Sequence, residues 1–96
     1  MGERNRDNDV TLLRAALTLA QHIDSLTAEV RDLRNEWIRA DWVRMKGIGA
    51  VSPQGMESLT AKADEAKAKY EARFAYREER IASNADYIRE KVRNER

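Results

Sequence analysis

The chain has 96 residues, 36% of them charged and 42% hydrophobic, with no cysteine, one proline and four glycines. That composition leans helical and leaves room for one small domain, which at this size often needs a second chain or a long seam to complete its core. Lys and Arg total 18 against 17 for Asp and Glu, a net charge of +1, so no whole-molecule field draws the protein to nucleic acid or anionic lipid; the missing cysteines exclude a disulfide framework, thiolate metal sites and cysteine nucleophiles.

The opening "MGERNRDND" is polar, without the apolar core of a signal peptide, and no run approaches the roughly 20 apolar residues of a membrane span. Residues 1–8 are therefore expected to form a flexible polar arm on a soluble, cytoplasmic protein with no membrane partner. The single domain expected to follow covers 9–96.

A first helix is expected over 9–45, capped by Asn8 or Asp9 through side-chain acceptance from the first free amides. No Gly or Pro interrupts it. Leu12, Ala16, Leu19, Ile23, Leu26, Val30, Leu33, Trp37 and Ala40 recur at alternating steps of four and three, a heptad seam held for about four repeats.

The break is "KGIGAVSPQG", a turn over 46–52. Gly47 suits the left-handed position that ends a helix, with Ile48 making the hydrophobic contact after it. Ser52 reads as an N-cap, Pro53 as the first helical residue, and Val51 with Met56 as a hydrophobic staple.

The second helix is expected over 53–93. Its apolar stripe is Met56, Leu59, Ala63, Ala66, Tyr70, Phe74, Ile81, Ala85, Ile88 and Val92. Arg77 interrupts it, and the four-residue step from Tyr70 to Phe74 has the form of a stutter, which locally unwinds a coiled coil. At 1.5 Å per residue the two helices would run roughly 55 and 60 Å, and a short turn between matched helices favours antiparallel neighbours. The fold class is thus all-α: two long helices in an antiparallel, coiled-coil-like hairpin, expected to dimerise into a four-helix bundle. The turn sets Trp37 opposite Ala63, Val30 opposite Tyr70, Leu26 opposite Phe74 and Leu19 opposite Ile81, with up to three residues of slip. The rival is a parallel leucine-zipper homodimer through the first helix, which would leave the stripe of the second without a home.

No pattern in the chain names a reaction. His22 and Asp24 are two residues apart and do not share a helical face; the carboxylates are spread over charged faces, and the glycines at the turn follow no strand. No enzyme activity, catalytic residue, metal or cofactor is expected. A bZIP comparison fails because Glu3, Asp7 and Asp9 offset Arg4 and Arg6 where a basic region should stand. Length and plan resemble the small WXG100 helical hairpins, but Trp42 stands five residues before Gly47 where that class has Trp-x-Gly, and no Tyr is followed four residues later by Asp or Glu.

What remains is interaction. Leu13 and Leu17 near the start of the first helix, and Ile38, Trp42 and Met45 near its end, widen its apolar face beside the seam. They are the candidate protein-interaction residues, for a second copy or a foreign partner. On the second helix Tyr76, Arg80, Tyr87 and Lys91 lie along one line and form a candidate polyanion or acidic-partner contact; Glu29 facing Lys69 or Arg73, and Glu36 facing Lys62, would make much of the neighbouring basic stripe internal ion pairing. The function expected is a non-enzymatic interaction module, an assembly or adaptor subunit or a stoichiometric inhibitor that occludes a partner protein, with nucleic-acid contact as the alternative.

Overall fold

The computed structural model describes residues 2–94, with side chains described from Asp9 onward. Helix α1 runs Gly2–Gly47 (46 residues) and helix α2 runs Pro53–Asn94 (42 residues). They fold back on each other as an all-α antiparallel hairpin of 75 × 16 × 12 Å.

Helix α1 begins at Gly2, seven residues earlier than its expected first residue, Asp9. The expected cap positions Asn8 and Asp9 thus fall inside the helix, and Met1 of the expected arm lies outside the described residues. No Gly or Pro separates Glu3 from Asp9, so nothing in the backbone stops the helix there. Burial along α1 follows the expected seam: Leu12, Ala16, Leu19, Ile23, Leu26, Val30, Leu33, Trp37 and Ala40 are all shielded to some degree, Leu26 most, at 2% exposure.

The turn is closed by the backbone of Gly47, whose carbonyl accepts from the N–H groups of Ala50 at 3.0 Å and Val51 at 3.1 Å. Gly47 is the last residue of α1, and the left-handed residue is Gly49, at φ 77°. Gly47 serves close packing instead: a β-carbon there would lie 2.7 Å from Leu59 Cδ1 and 3.3 Å from Met56 Sδ, so those side chains would have to shift to admit one. With the left-handed position moved to Gly49, Ile48 has no groove to fill and stays exposed. Ser52 caps α2 as expected, its Oγ accepting from Gly55 N–H at 3.1 Å while its carbonyl accepts from Met56 N–H at 2.9 Å.

Because Met56 and Leu59 seat over Gly47, the first turn of α2 overhangs the end of α1. The pairing register shifts accordingly, by two residues at Glu29–Arg73, four at Thr27–Arg77 and seven at the Trp37–Tyr70 stack. Glu29 meets Arg73, Thr27 meets Arg77, and Trp37 stacks on Tyr70 with ring centroids 5.6 Å apart and planes 23° apart. Phe74 extends that stack, its ring 6.0 Å from Tyr70. Offset aromatic pairs of this kind add about 0.5–1.5 kcal/mol beyond the area they bury.

Candidate interaction surfaces

Only Leu26 and Ala63, at 2% and 3% exposure, are fully buried hydrophobic residues among those described. The rest of the apolar complement is distributed along a long open seam. The turn-proximal half of that seam matches the sequence reading on both helices: Met56, Leu59, Ala63, Ala66 and Tyr70 of α2 turn toward α1.

Beyond Tyr70 the expected stripe and the observed one part. The residues of α2 shielded against α1 are Arg73, Arg77, Arg80 and Asn84, while Phe74 (44% exposed), Ile81, Ala85 and Val92 lie open; only Ile88 keeps partial cover. A seven-residue count explains this. Steps of seven from Ala63 reach Tyr70, Arg77 and Asn84. A helix packed regularly on α1 keeps those positions in the seam, so the four-residue step to Phe74 turns the apolar stripe aside by one residue instead of unwinding the pair.

The polar side chains now in the seam are partly satisfied. Arg73 Nε donates to Glu29 Oε2 at 2.6 Å, and Arg77 donates to Thr27 Oγ1 at 2.7 Å and Glu78 Oε1 at 2.9 Å. The hydrogen bond to Glu29 raises the Arg73 guanidinium above its already high ordinary pKa, so this group is charged at every working pH. Lys69 turns to Glu65 on its own helix, at 3.4 Å, leaving Glu29 to Arg73. Two atoms fare worse: Arg80 Nε and Asn84 Nδ2 are buried without a hydrogen-bond partner, each a desolvated donor with a cost of about 1–3 kcal/mol.

Turning the stripe aside opens a groove of about 690 Å³ between the helices at the end away from the turn. Ala16, Leu19, Ala20 and Ile23 form one wall and Ile81, Ala85 and Ile88 the other, with Asp24, Asn84 and Arg89 completing the lining. Leu13 (69% exposed) and Leu17 lie one turn from Ala16 and Ala20 on α1 and extend that wall outward. A second hollow of about 480 Å³ lies on α1 near the turn, lined by Trp37, Ile38, Trp42 and Met45 among others. Trp42 is 57% exposed there, with Lys46 Nζ 5.0 Å from its ring centroid. All five candidate protein-interaction residues thus stand outside the hairpin seam.

The four candidate polyanion contacts are not one free line. Arg80 is turned into the seam, with Nη2 donating to Ser83 Oγ at 3.2 Å. Tyr76 lies under two guanidinium groups, Arg73 at 4.9 Å and Arg80 at 5.9 Å from its ring centroid, and Lys91 Nζ is 5.6 Å from the ring of Tyr87. Tyr76, Tyr87 and Lys91 remain exposed.

His22 is exposed on α1, and among the described residues no group of three or more His, Cys, Asp or Glu could hold a metal ion. No helix of the described residues is long and apolar enough to cross a membrane. Compared with protein families, with curated proteins and with solved structures, the chain shows no match.

Proposed function

We propose that the protein is a non-enzymatic interaction module, working by pressing its exposed apolar faces against another protein, a second copy of itself or a foreign chain. The observation that carries this reading is the imbalance between core and surface. Among the described residues, two buried hydrophobic side chains stand against open Leu13, Leu17, Phe74 and Ile81 at one end and open Ile38 and Trp42 near the turn; clustered apolar surface of this kind marks a docking face. Such a module serves as an assembly or adaptor subunit or as an inhibitor that occludes its target. The hairpin turns the leucines of α1 onto α2, which favours this reading over a parallel zipper. The engagement of Arg80 in the seam and of Tyr76 under arginines favours it over a polyanion-binding face.

The test is variant-dependent binding. Leu17→Ser and Trp42→Ala are expected to keep the helix content of the parent while losing self-association, capture of a partner identified by mass spectrometry, or both. If both variants match the parent in sedimentation and in what they capture, the apolar clusters are not interfaces and the proposal fails.

A further inference from the structure

The groove at the open end of the hairpin belongs to a larger face. Whole heptads relate its lining to other residues on the same side of the molecule. Seven residues before Ala20 and Asp24 stand Leu13 and Leu17; seven before Ile81 stands Phe74. Seven after Asp24 stands Arg31, fourteen after Ala20 stands Arg34, and fourteen before Ala85 stands Glu71. One side of the hairpin is therefore apolar on both helices at the open end and charged in the middle, by Arg31 and Arg34 on α1 and by Glu71, itself paired with Lys67 at 3.8 Å, on α2.

We infer that a second copy of this chain covers this side, related by a two-fold axis running along the helices, so that α1 of each copy lies over α2 of the other. The inference rests on the interaction reading above and names its partner. Area supports it first. The chain exposes 7711 Å² at 11.1 kDa, whereas folded monomers of that mass expose about 5,700 Å². The excess, about 2,000 Å², goes with the 75 × 16 × 12 Å rod shape of the hairpin and leaves ample room for the roughly 800 Å² that each partner gives up in a stable standard-size interface.

Self-complementarity supports it second. In an antiparallel pair each step forward on α1 is a step back on α2, so the contacts of Glu29 with Arg73 and Thr27 with Arg77 set Arg31 within a turn of Glu71 and Leu17 within a turn of Ala85. An axis along the helices then lays the Leu13–Leu17 ridge of one copy on the Ile81–Ile88 flank of the other, and Arg31 against Glu71. An axis across the helices would instead set each open end on the turn end of the other copy. On α1 the heptad position of Leu17 stays apolar near the turn, at Ile38 and Met45, but on α2 the positions of Ile81 and Ala85 are held there by Thr60, Lys67 and Asp64.

The chain has no cysteine, so crosslinking can read the geometry. Leu17→Cys and Ala85→Cys protein are prepared separately, mixed, and treated with a short bismaleimide; sedimentation equilibrium is run on the parent, Ile81→Glu, Arg31→Glu, and Arg31→Glu with Glu71→Arg. The expected result is a dimeric parent and a mixed crosslink that exceeds either self-crosslink. Ile81→Glu should weaken the dimer about a hundredfold, tenfold at each of two symmetric sites, with helix content kept. Arg31→Glu should weaken it, and the added Glu71→Arg should restore it. A dimer in which Leu17→Cys crosslinks best to itself, or one indifferent to Ile81→Glu, overturns the arrangement. A parent that is monomeric at all concentrations overturns the second copy as partner. Foreign-protein capture lost in Leu17→Ser would then leave the interaction reading standing, and no capture would end both.

Discussion

Asn84→Leu is expected to stabilise the hairpin, against the usual direction of point substitutions. Asn84 occupies the heptad position of Ala63, Tyr70 and Arg77, is partly shielded, and has its Nδ2 buried without a partner. Leaving that amide dry costs about 1–3 kcal/mol. Leucine has similar bulk and no donor to strand, and it adds part of the 1.5–3 kcal/mol that a fully buried aliphatic side chain contributes. The position lines a groove and keeps some exposure, so the sum belongs near the lower end, about 1–3 kcal/mol. For a chain of this size, each kcal/mol moves the thermal midpoint by roughly 4–8 °C. Urea unfolding followed by far-UV circular dichroism, at one fixed chain concentration because association adds its own stability, should show a higher midpoint with an unchanged slope. A lower midpoint for Asn84→Leu would mean that the amide has a partner and that the polar seam is a satisfied structure.

Gly49→Ala isolates backbone strain: φ is 77° and a β-carbon would meet nothing within 4 Å, so the expected loss is the left-handed penalty alone, about 1–2 kcal/mol; an unchanged melting curve would show that the turn relaxes freely. Leu26→Ala removes the most deeply buried large side chain and should cost about 2–5 kcal/mol, read by the same urea titration, whereas a loss under about 1 kcal/mol would mean that α2 closes over the space. Glu29→Gln removes the negative charge from the 2.6 Å pair with Arg73 while keeping an acceptor oxygen, in a pair whose side chains are 40% (Arg73) and 52% (Glu29) exposed. Its midpoint should fall below that of the parent at low salt and rejoin it at high salt, because exposed pairs are screened. A gap that persists at high salt would assign Glu29 a role beyond charge.

The residues that wrote their structure plainly were those whose pattern was local and unbroken. The α1 seam from Leu12 to Ala40, the Ser52 cap and Pro53 at the head of α2 needed only period and capping chemistry. The rest required knowing which of two competing patterns prevails. From Phe74 onward, α2 carries an apolar stripe by one count and a regular seven-residue repeat from Ala63 by another. Hydrophobicity alone follows the first, whereas packing on a regular partner follows the second, which is why Arg73, Arg77, Arg80 and Asn84 hold the seam. The interruption at Arg77 was the available signal: it stands one heptad past Tyr70, where a seam residue belongs. The turn shows the same limit, since glycine at 47 and at 49 look alike in sequence. Only the seating of Leu59 against the first and the positive φ of the second assign their separate roles.

The conflict on α2 also explains why its apolar flank is open. Near the turn, Ala63 and the Trp37–Tyr70 stack fix how α2 is rotated. A continuous helix carries that rotation to its far end, so Phe74 and Ile81 cannot roll into the seam without pulling Ala63 and Tyr70 out of it. Removing one residue relieves the conflict. Deleting Ala72 advances Phe74, Ile81 and Ala85 into the seam places now held by Arg73, Arg80 and Asn84. The arginines then turn to solvent, and the seam becomes apolar at the places of Arg73, Arg80 and Asn84, with Glu78 taking the place of Arg77 opposite Thr27. Each of Phe74 and Ile81, 44% and 36% exposed, should add roughly 1 kcal/mol as its remaining apolar area is buried. The groove closes in the same step. The deletion should therefore raise the urea midpoint of the hairpin and abolish the binding that the open flank supports. A deletion variant that is less stable than the parent, or that binds as the parent does, would show that the offset stripe is not what keeps the open end available.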